Sequence, residues 1–172
     1  MPKKRILSIS LMLAAGLLFI PLAESGYFFI KGLRALRQGF EGKSVRYLEK
    51  SIKANPHFPE SYVLLALAYA EWGSSSRHYM EYDEKGLIKL KSETLGKAES
   101  ILKTALVRFP SRRDYFQYLL SQLYDEDARN SSCVWDKNKA IQGYIQLVSE
   151  YPHSRYAQKA KKRIEALACV KQ

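Results

Sequence analysis

The sequence predicts an all-α protein, in which about three helical hairpins and a capping helix follow one N-terminal transmembrane or signal helix. Three observations support this prediction. An uncharged apolar run lies near the N-terminus, one spacing of small, large and proline residues recurs along the chain, and the last segment carries a single apolar stripe. Apolar residues make up 47% of the chain and charged residues 26%, a balance that is typical of globular proteins.

The N-terminal segment has the basic sequence Lys-Lys-Arg at residues 3–5, followed by an uncharged apolar run over residues 6–22. A short basic stretch before an apolar run is typical of a secretory signal or a signal-anchor. The run is at the lower end of the length that spans a bilayer as a helix. Small residues before position 26 leave cleavage after Ser25 open. We favour retention as a single-pass anchor, because the first repeat helix is expected to begin at Tyr27 and leaves almost no spacer for a peptidase.

The predicted organisation is therefore a signal-anchor segment at residues 1–25 and a helical domain at residues 26–172. The basic end of the segment is expected to stay in the cytoplasm and the domain to be exported. The protein is thus predicted to be membrane-anchored, with the bulk of the chain on the periplasmic or extracytoplasmic side. If the segment is cleaved, the domain is instead secreted to the periplasm.

The helical domain repeats one pattern of residue types. A small residue, a large residue and then a small residue or leucine lie at relative positions 0, 4 and 7, and a proline follows at 12. The first three positions share one face of a helix, which we expect to be buried against a neighbouring helix. The proline ends the helix. The three sets are Ser44, Leu48, Ser51 and Pro56; Ala98, Leu102, Ala105 and Pro110; and Ala140, Tyr144, Leu147 and Pro152.

A second helix is expected to accompany each of these helices. Large and small apolar residues follow the first two prolines at the same distances, 6, 9, 10 and 13 residues on, and a matching set precedes the first repeat. In that preceding set a glycine stands where two helices need to approach closely. The sets are Tyr62, Leu65, Ala66 and Tyr69; Phe116, Leu119, Leu120 and Leu123; and Phe28, Lys31, Gly32 and Ala35.

These offsets resemble those of the tetratricopeptide repeat (TPR) family, whose unit of about 34 residues is a helix–turn–helix hairpin. The resemblance covers roughly residues 27–152. The repeat prolines are 54 and 42 residues apart, so two insertions are expected, within residues 73–96 and 125–137. Part of the first insertion is expected to extend the following helix, with an inner side formed by Leu87, Ile88, Leu95, Ile101 and Leu102.

The last segment, residues 154–168, departs from the repeat pattern. Lysines at positions 161 and 162 replace the apolar or small residues of the other repeats. The remaining apolar residues form one stripe: Tyr156, Ala157, Ala160, Ile164 and Leu167. One apolar face for the last repeat and one polar face for water are what a terminal capping helix needs.

A narrower resemblance lies in residues 140–167. The turn Tyr-Pro-x-Ser-x-Tyr-Ala at residues 151–157 is similar to repeats of outer-membrane assembly lipoproteins of the BamD type and of the Tol-Pal coordinating protein. This resemblance implies a periplasmic scaffold in envelope biogenesis. The chain departs from the BamD type in having no cysteine near the end of the apolar run and in having only about three repeats.

The two cysteines, Cys133 and Cys169, are candidates for a disulfide. In an antiparallel hairpin about the Pro152 turn, residues pair where their numbers sum to about 305, which places Cys169 opposite position 136 and near Cys133. A disulfide there suits an oxidising compartment. Two unpaired thiols are the alternative.

No catalytic, cofactor-binding or metal site is predicted, and we do not expect an enzyme. The histidines His57, His78 and His153 have no metal-ligand spacing. The acids at residues 81–84 and 125–127 lie in the insertions, where solvated loops are expected. The net charge of +11 is spread along the helices without a nucleic-acid signature. Nucleic acid is therefore not an expected partner, whereas a membrane surface or an acidic partner remains open.

Stacked hairpins expose a concave surface, lined by the first helix of each unit, which is expected to hold a peptide or a subunit. Tyrosine, with 12 copies, is common in such surfaces. The residues predicted to bind a partner are Arg34, Arg37, Tyr62, Tyr69, Tyr115 and Tyr118. The predicted function is a membrane-tethered, non-cytoplasmic scaffold for protein–protein interaction in an envelope assembly. The alternative is an accessory structural subunit of a membrane-embedded enzyme complex.

Overall fold

The computed structural model describes residues 22–75, 78, 82–129 and 137–169. These residues form α-helices joined by short turns, with no β-strand among them, as the sequence predicts. The predicted apolar run lies outside the described residues except for its last position, Leu22. Within the described ranges, no helix combines the length and the apolar character needed to cross a membrane.

Helix α1 covers residues 22–37 of the described chain. It is followed by α2 (Glu41–Ala54), α3 (Pro59–Ser74) and the long helix α4 (Glu84–Arg108). A short 3-10 turn at Pro110–Arg112 leads into α5 (Arg113–Arg129), and α6 (Lys137–Glu150) and α7 (Arg155–Cys169) complete the described chain. Because α1 is already helical at residue 22, the first helix begins before Tyr27, where the sequence placed its start.

The chain divides into two compact units, with the boundary between Leu65 and Ala66 inside α3. The first unit contains α1, α2 and the beginning of α3. The second unit contains the end of α3 and helices α4 to α7. In the second unit each helix from α4 to α6 contacts the next along the chain, and α5 also contacts α7.

The three repeated sets are buried as the spacing predicts. The nine side chains at relative positions 0, 4 and 7 are each at most 3% exposed. Most members of the accompanying sets are also buried, although Phe28, Lys31 and Leu119 are partly exposed. A proline-terminated helix with one apolar face is therefore the building element of both units.

In the first unit, α1 and α2 approach closely where Gly32 faces Leu48. A Cβ atom at position 32 would lie 2.6 Å from Cγ of Leu48, so a larger residue would push the leucine away. The Ser44 hydroxyl donates to the carbonyl of Gly32 at 2.9 Å. Close approach and a satisfied buried hydroxyl together fix the spacing of these two helices.

A chain of buried serine hydroxyls continues the contact between α1 and α2 and reaches the beginning of α3. The Ser25 hydroxyl donates to the Ser51 carbonyl at 3.0 Å, and the Ser51 hydroxyl lies 2.9 Å from the Ser25 carbonyl. The Ser51 and Ser61 hydroxyl oxygens are 2.7 Å apart. All three side chains are buried, so position 25 belongs to the packed core of this unit.

In the second unit two further glycines allow close helix contacts. A Cβ atom at Gly73 would lie 2.0 Å from Oγ1 of Thr94, and one at Gly143 would lie 2.5 Å from Oγ of Ser121. The pairs join α3 to α4 and α5 to α6. A side chain at either glycine would therefore force the facing Thr94 or Ser121 side chain to move.

Much of the first predicted insertion is helical. Helix α4 begins at Glu84, and the carboxylate of Asp83 caps it by accepting from the Gly86 amide at 2.8 Å. Leu95 and Leu102 are buried as predicted, but the prediction for Ile88 is wrong, because this side chain is 48% exposed. The buried stripe of α4 runs through positions 91, 94, 95 and 98, and position 88 falls beside it.

Helix α7 has the two faces that a capping helix needs. Tyr156, Ala157, Ala160 and Leu167 are buried, whereas the lysines at positions 161 and 162 are exposed. The predicted apolar stripe therefore lies on the packed face of α7, with its fifth member, Ile164, partly exposed. This helix contacts α6 and α5.

Candidate functional site

The residues predicted to bind a partner fall in both units. In the first unit, Arg34 and Arg37 are exposed on α1, whereas Tyr62 is buried and donates its hydroxyl to the Pro56 carbonyl at 3.1 Å. In the second unit, Tyr69 is buried and stacks on Trp72 with ring centroids 6.2 Å apart. Tyr62 and Tyr69 thus present little surface, and a role for them in partner binding stays a prediction.

The other two predicted tyrosines belong to a cluster in the second unit. Tyr115 and Tyr118 lie one turn apart on α5, and both stack on Tyr156 of α7, with centroids 5.1 and 5.3 Å away. Tyr144 of α6 packs against Tyr118 at 6.0 Å. We call Tyr115, Tyr118, Tyr144 and Tyr156 the tyrosine cluster. Its first two members are half-buried, so their rings are partly accessible.

Cations of α7 border the tyrosine cluster. The Arg155 guanidinium carbon lies 4.7 Å from the Tyr156 ring centroid, and its Nη2 donates to the Tyr156 hydroxyl at 2.5 Å. The Lys159 ammonium is 5.8 Å from the same ring. Aromatic faces beside positive charge suit a ligand that offers both apolar contact and carboxylates.

A buried carboxylate, that of Asp125, links the three helices that carry the tyrosine cluster. Asp125 of α5 is 1% exposed and pairs with both nitrogens of one edge of the Arg163 guanidinium on α7, with Nη2 2.8 Å from Oδ1. The Tyr144 hydroxyl donates to Oδ2 at 3.2 Å. One carboxylate therefore joins α5, α6 and α7. The sequence-based expectation of a solvated acid at position 125 is wrong, because α5 extends past this position and turns Asp125 toward α7.

The electrostatics of the cluster favour neutral phenols. Burial, followed by the negative charge of Asp125, raises the pKa of both Tyr118 and Tyr144. Hydrogen bonding to Asp125 raises the pKa of Arg163. Tyr118 and Tyr144 therefore stay protonated at neutral pH, which suits ring packing and hydrogen-bond donation and not proton transfer.

The turn motif at residues 151–157 positions the cluster. The Ser154 hydroxyl donates to Oδ2 of Asp114 on α5 at 2.5 Å and accepts from the Tyr156 amide at 3.1 Å. Ala157, which follows Tyr156 at the end of the motif, is fully buried. The serine thus caps the first turn of α7 and fixes it against α5, which places the Tyr156 ring over Tyr115 and Tyr118.

Sequence reasoning found Tyr115 and Tyr118 but missed their partners. Tyr144 and Tyr156 are buried, as their place in a core face and in an apolar stripe predicts, but the contacts of their rings with Tyr118 follow from no sequence pattern. The sequence feature that could have indicated Tyr156 is the turn motif at residues 151–157, because Tyr156 is one of its members. No sequence spacing links Arg163 to Asp125, since the pair joins two helices that are not adjacent in the chain.

Glu99 of α4 is hydrogen-bonded to α5, so the pKa of its carboxyl group reports on the packing of these two helices. Its carboxylate accepts from the Tyr124 hydroxyl at 2.9 Å and pairs with Lys103 at 2.6 Å. Burial pushes the pKa of Glu99 upward, but these two hydrogen bonds and the charges of Lys103 and Lys139 outweigh it, and the net pKa is lowered. The carboxylate therefore stabilises the fold above the pKa of an unfolded glutamate, and this contribution disappears as the pH falls through the folded-state pKa.

We expect Tyr124→Phe to raise the pKa of Glu99 toward the ordinary glutamate value, because one donor to the ionised form is removed. A carbon-detected NMR titration of the Glu99 carboxyl measures this directly. The control is Tyr27→Phe, which changes an exposed tyrosine of the first unit and is expected to leave the titration unchanged. An unaltered Glu99 pKa in Tyr124→Phe would contradict the assigned hydrogen bond.

Within the described ranges, no group of three or more histidine, cysteine, aspartate or glutamate side chains could hold a metal ion. The predicted disulfide stays a prediction, because Cys133 lies outside the described residues. Cys169 is the last residue of α7.

Comparison with known proteins identifies the fold. No protein-family profile and no curated protein sequence matches the chain. Among solved structures, the Arabidopsis OM64 TPR domain matches with a TM-score of 0.54 and 16% sequence identity, over 85% of this chain and 98% of that domain. At this identity the likeness shows the fold alone, and that fold is TPR-like.

Two structures of MamA also match, one from Desulfovibrio magneticus RS-1 and one an RS-1 double mutant. Each has a TM-score of 0.29 and 19% identity, over 84% of this chain and 89% of the other. The TPR-like fold therefore depends on the OM64 likeness and on the burial of the repeated positions. The narrower resemblance to envelope assembly proteins is not shown by these comparisons.

Proposed function

We propose that this protein is a membrane-tethered scaffold, with its helical units outside the cytoplasm, and that it holds a protein partner at the tyrosine cluster. The observation that carries this proposal is the pair of half-buried rings, Tyr115 and Tyr118, stacked on Tyr156 beside Arg155. Solenoids of helical hairpins use such surfaces to bind extended segments. The ion pair between Asp125 and Arg163 joins α5 to α7, the two helices that carry the stacked rings, and so keeps the surface preorganised, which lowers the entropic cost of binding.

The chemistry of the site indicates the kind of segment that it suits. Stacked phenols favour an aromatic, proline or aliphatic side chain over their faces. Arg155 and Lys159 favour a carboxylate close to that side chain. We infer a partner segment in which an apolar residue is flanked by aspartate or glutamate.

The membrane tether is supported by the sequence and by the place of Ser25. The apolar run at residues 6–22 leads directly into α1. Cleavage after Ser25 would remove a buried hydroxyl that bonds Ser51, and the Ser51 hydroxyl would lose the Ser25 carbonyl. This arrangement favours retention of the segment as an anchor.

The envelope assembly is supported by two sequence features. The basic end of the N-terminal segment favours export of the helical units. The turn at residues 151–157 resembles that of periplasmic scaffolds, and in this chain it positions Tyr156 in the proposed site. We therefore propose a periplasmic location for the helical units, within an envelope assembly.

A second candidate function is an accessory structural subunit of a membrane-embedded enzyme complex. The small residues Ala-Ala-Gly at positions 14–16 of the apolar run favour this role, because small residues let transmembrane helices pack closely. Here the apolar run itself would bind the other subunits, and the tyrosine cluster would be secondary.

Co-purification of the full chain in mild detergent, followed by identification of stoichiometric partners, tests the proposal. The variant Tyr115→Ala/Tyr118→Ala is expected to lose the partner while the exposed-site control Tyr82→Ala keeps it. Circular dichroism checks that both variants are folded. If the folded double variant keeps the partner, the proposed site is refuted. If the partner is also lost when the apolar run is exchanged for an unrelated transmembrane helix, the subunit role is favoured.

Mass spectrometry of the native N-terminus tests the tether. We expect a chain that begins at Met1 or Pro2 and fractionates with membranes. A mature start at or near Gly26 would refute the anchor.

A further inference from the structure

Helix α2 has a strongly basic outer face in the first unit. Lys43, Arg46, Lys50 and Lys53 recur at helical spacing along one side, and all four are exposed. We call these four residues the basic face of α2. Together with Tyr47 and Glu49 they line an open groove of about 520 Å³. Four cations and one acid give this groove a positive potential.

Aromatic rings lie under the basic face. Phe28 of α1 stacks with Tyr47, with centroids 6.4 Å apart, and the Lys50 ammonium is 5.5 Å from the Phe28 centroid. The Lys43 ammonium lies 4.8 Å from the ring of Phe40. The ammonium groups of these two lysines thus lie over aromatic rings, in the range of a cation–π contact. Aromatic rings next to basic side chains are typical of protein surfaces at a membrane interface.

The end of α2 that carries Lys50 and Lys53 lies next to the described beginning of α1. The reciprocal bonds between Ser25 and Ser51 place these two ends side by side, in an antiparallel pair. Helix α1 is continuous from Leu22, the last residue of the apolar run. The two lysines therefore lie at the end of the hairpin nearest to that run.

The beginning of α1 also exposes apolar surface at this end. Leu22 and Tyr27 are 55% and 56% exposed. The Tyr27 ring contacts Phe28 at 5.5 Å and carries the Lys31 ammonium over its face at 5.5 Å. Apolar, aromatic and basic side chains are thus exposed together around the beginning of α1 and the end of α2, as they are in the interface region of a bilayer.

We propose that the basic face of α2 docks on the anionic phospholipid headgroups of the membrane that holds the N-terminal segment. This inference rests on the tether of the proposed function and goes beyond it, because it assigns the lipid headgroup phosphates as the ligand of the α2 groove. Tethering holds the face within reach of the surface, and the attraction falls off within a Debye length of about 8 Å at physiological salt. Docking would fix the first unit at a defined height and orientation on the membrane.

Hydrogen exchange of the full chain in lipid nanodiscs tests this. One preparation contains phosphatidylcholine alone, and the other contains one third phosphatidylglycerol. We expect amide exchange in α2 to be at least about fivefold slower in the anionic discs. A fivefold change in the docking equilibrium corresponds to the attraction of a single lysine or arginine to an anionic surface. The protection is expected to disappear at high salt, because screening shortens the range of the attraction.

A pair of charge-reversal variants makes the test specific. Lys50→Glu/Lys53→Glu is expected to abolish the lipid-dependent protection of α2. The matched control, Lys161→Glu/Lys162→Glu, changes two exposed lysines of α7 by the same charge and is expected to retain it. Exchange in the phosphatidylcholine discs verifies that both variants remain folded.

Several outcomes would overturn the inference. These outcomes are equal protection of α2 in both lipid compositions, no protection in either composition, or an equal loss of lipid-dependent protection in the Lys50→Glu/Lys53→Glu and Lys161→Glu/Lys162→Glu variants. Protection of α2 by added polyglutamate but not by phosphatidylglycerol would assign the groove to an acidic protein instead. A chain that does not co-elute with nanodiscs would refute the tether and, with it, this inference. Co-elution without lipid-dependent protection leaves the tether intact and refutes the docking alone.

Discussion

Replacement of Arg163 by leucine is expected to lower the free energy of unfolding by about 3–5 kcal/mol. The variant leaves the carboxylate of Asp125, which is 1% exposed, without its cation. The Tyr144 hydroxyl remains as a donor at 3.2 Å, but one neutral donor does not replace a guanidinium that donates twice. Urea unfolding of the chain in a non-ionic detergent, followed by circular dichroism, measures the change.

The double variant Asp125→Leu/Arg163→Leu is the control for this prediction. It removes the buried charge together with its partner, so it is expected to be more stable than Arg163→Leu alone. A double-mutant cycle with the single Asp125→Leu variant then isolates the coupling between the two side chains. Strictly additive effects, or a change below about 1 kcal/mol for Arg163→Leu, would show that the pair does not hold α7 to α5 in solution.

Leu48→Ala is expected to destabilise the first unit by about 2–5 kcal/mol. Leu48 is fully buried and fills the space over Gly32, where the backbone of α1 comes close. Truncation leaves a cavity that cannot be closed from the glycine side, because position 32 has no side chain to move into it. Urea unfolding is the measurement here too, with the exposed Leu67 of α3 changed to alanine as the matched control.

The control variant is expected to stay within about 0.5 kcal/mol of the parent chain. Similar effects of Leu48→Ala and Leu67→Ala would contradict the packing assigned to Leu48. A further check is Gly32→Ala in the Leu48→Ala background. The added methyl group is expected to restore part of the stability, since its place is no longer taken by the leucine.

The helices and their buried faces could be predicted because the information for them is local. Spacing along a helix decides which side chains share a face, and a proline decides where the helix ends. Ser44, Ala98 and Ala140 are fully buried for this reason. The same rule failed for Ile88, because the stretch before Leu95 carried no second repeat feature to fix which side of the helix faces inward.

The candidate site could be predicted only in part, because it depends on contacts between helices. The tyrosines at 115 and 118 were visible as aromatic residues one turn apart. Their stacking on Tyr156 depends on how α7 lies against α5, which the turn serine at position 154 helps to set. Asp125 and Arg163 are 38 residues apart in the sequence, and no local sequence pattern predicts a pairing over that separation.

The three close contacts at Gly32, Gly73 and Gly143 have a consequence for how such a chain can diverge during evolution. Each sets the distance between two helices with a residue that has no side chain, and a Cβ at any of them would come within 2.6 Å of a neighbouring side chain. Outward-facing positions carry no such constraint, so they can drift and helices such as α4 can lengthen while the spacing persists. A TPR-like architecture is therefore compatible with a surface that is this chain's own, as its 16% identity to the OM64 domain illustrates.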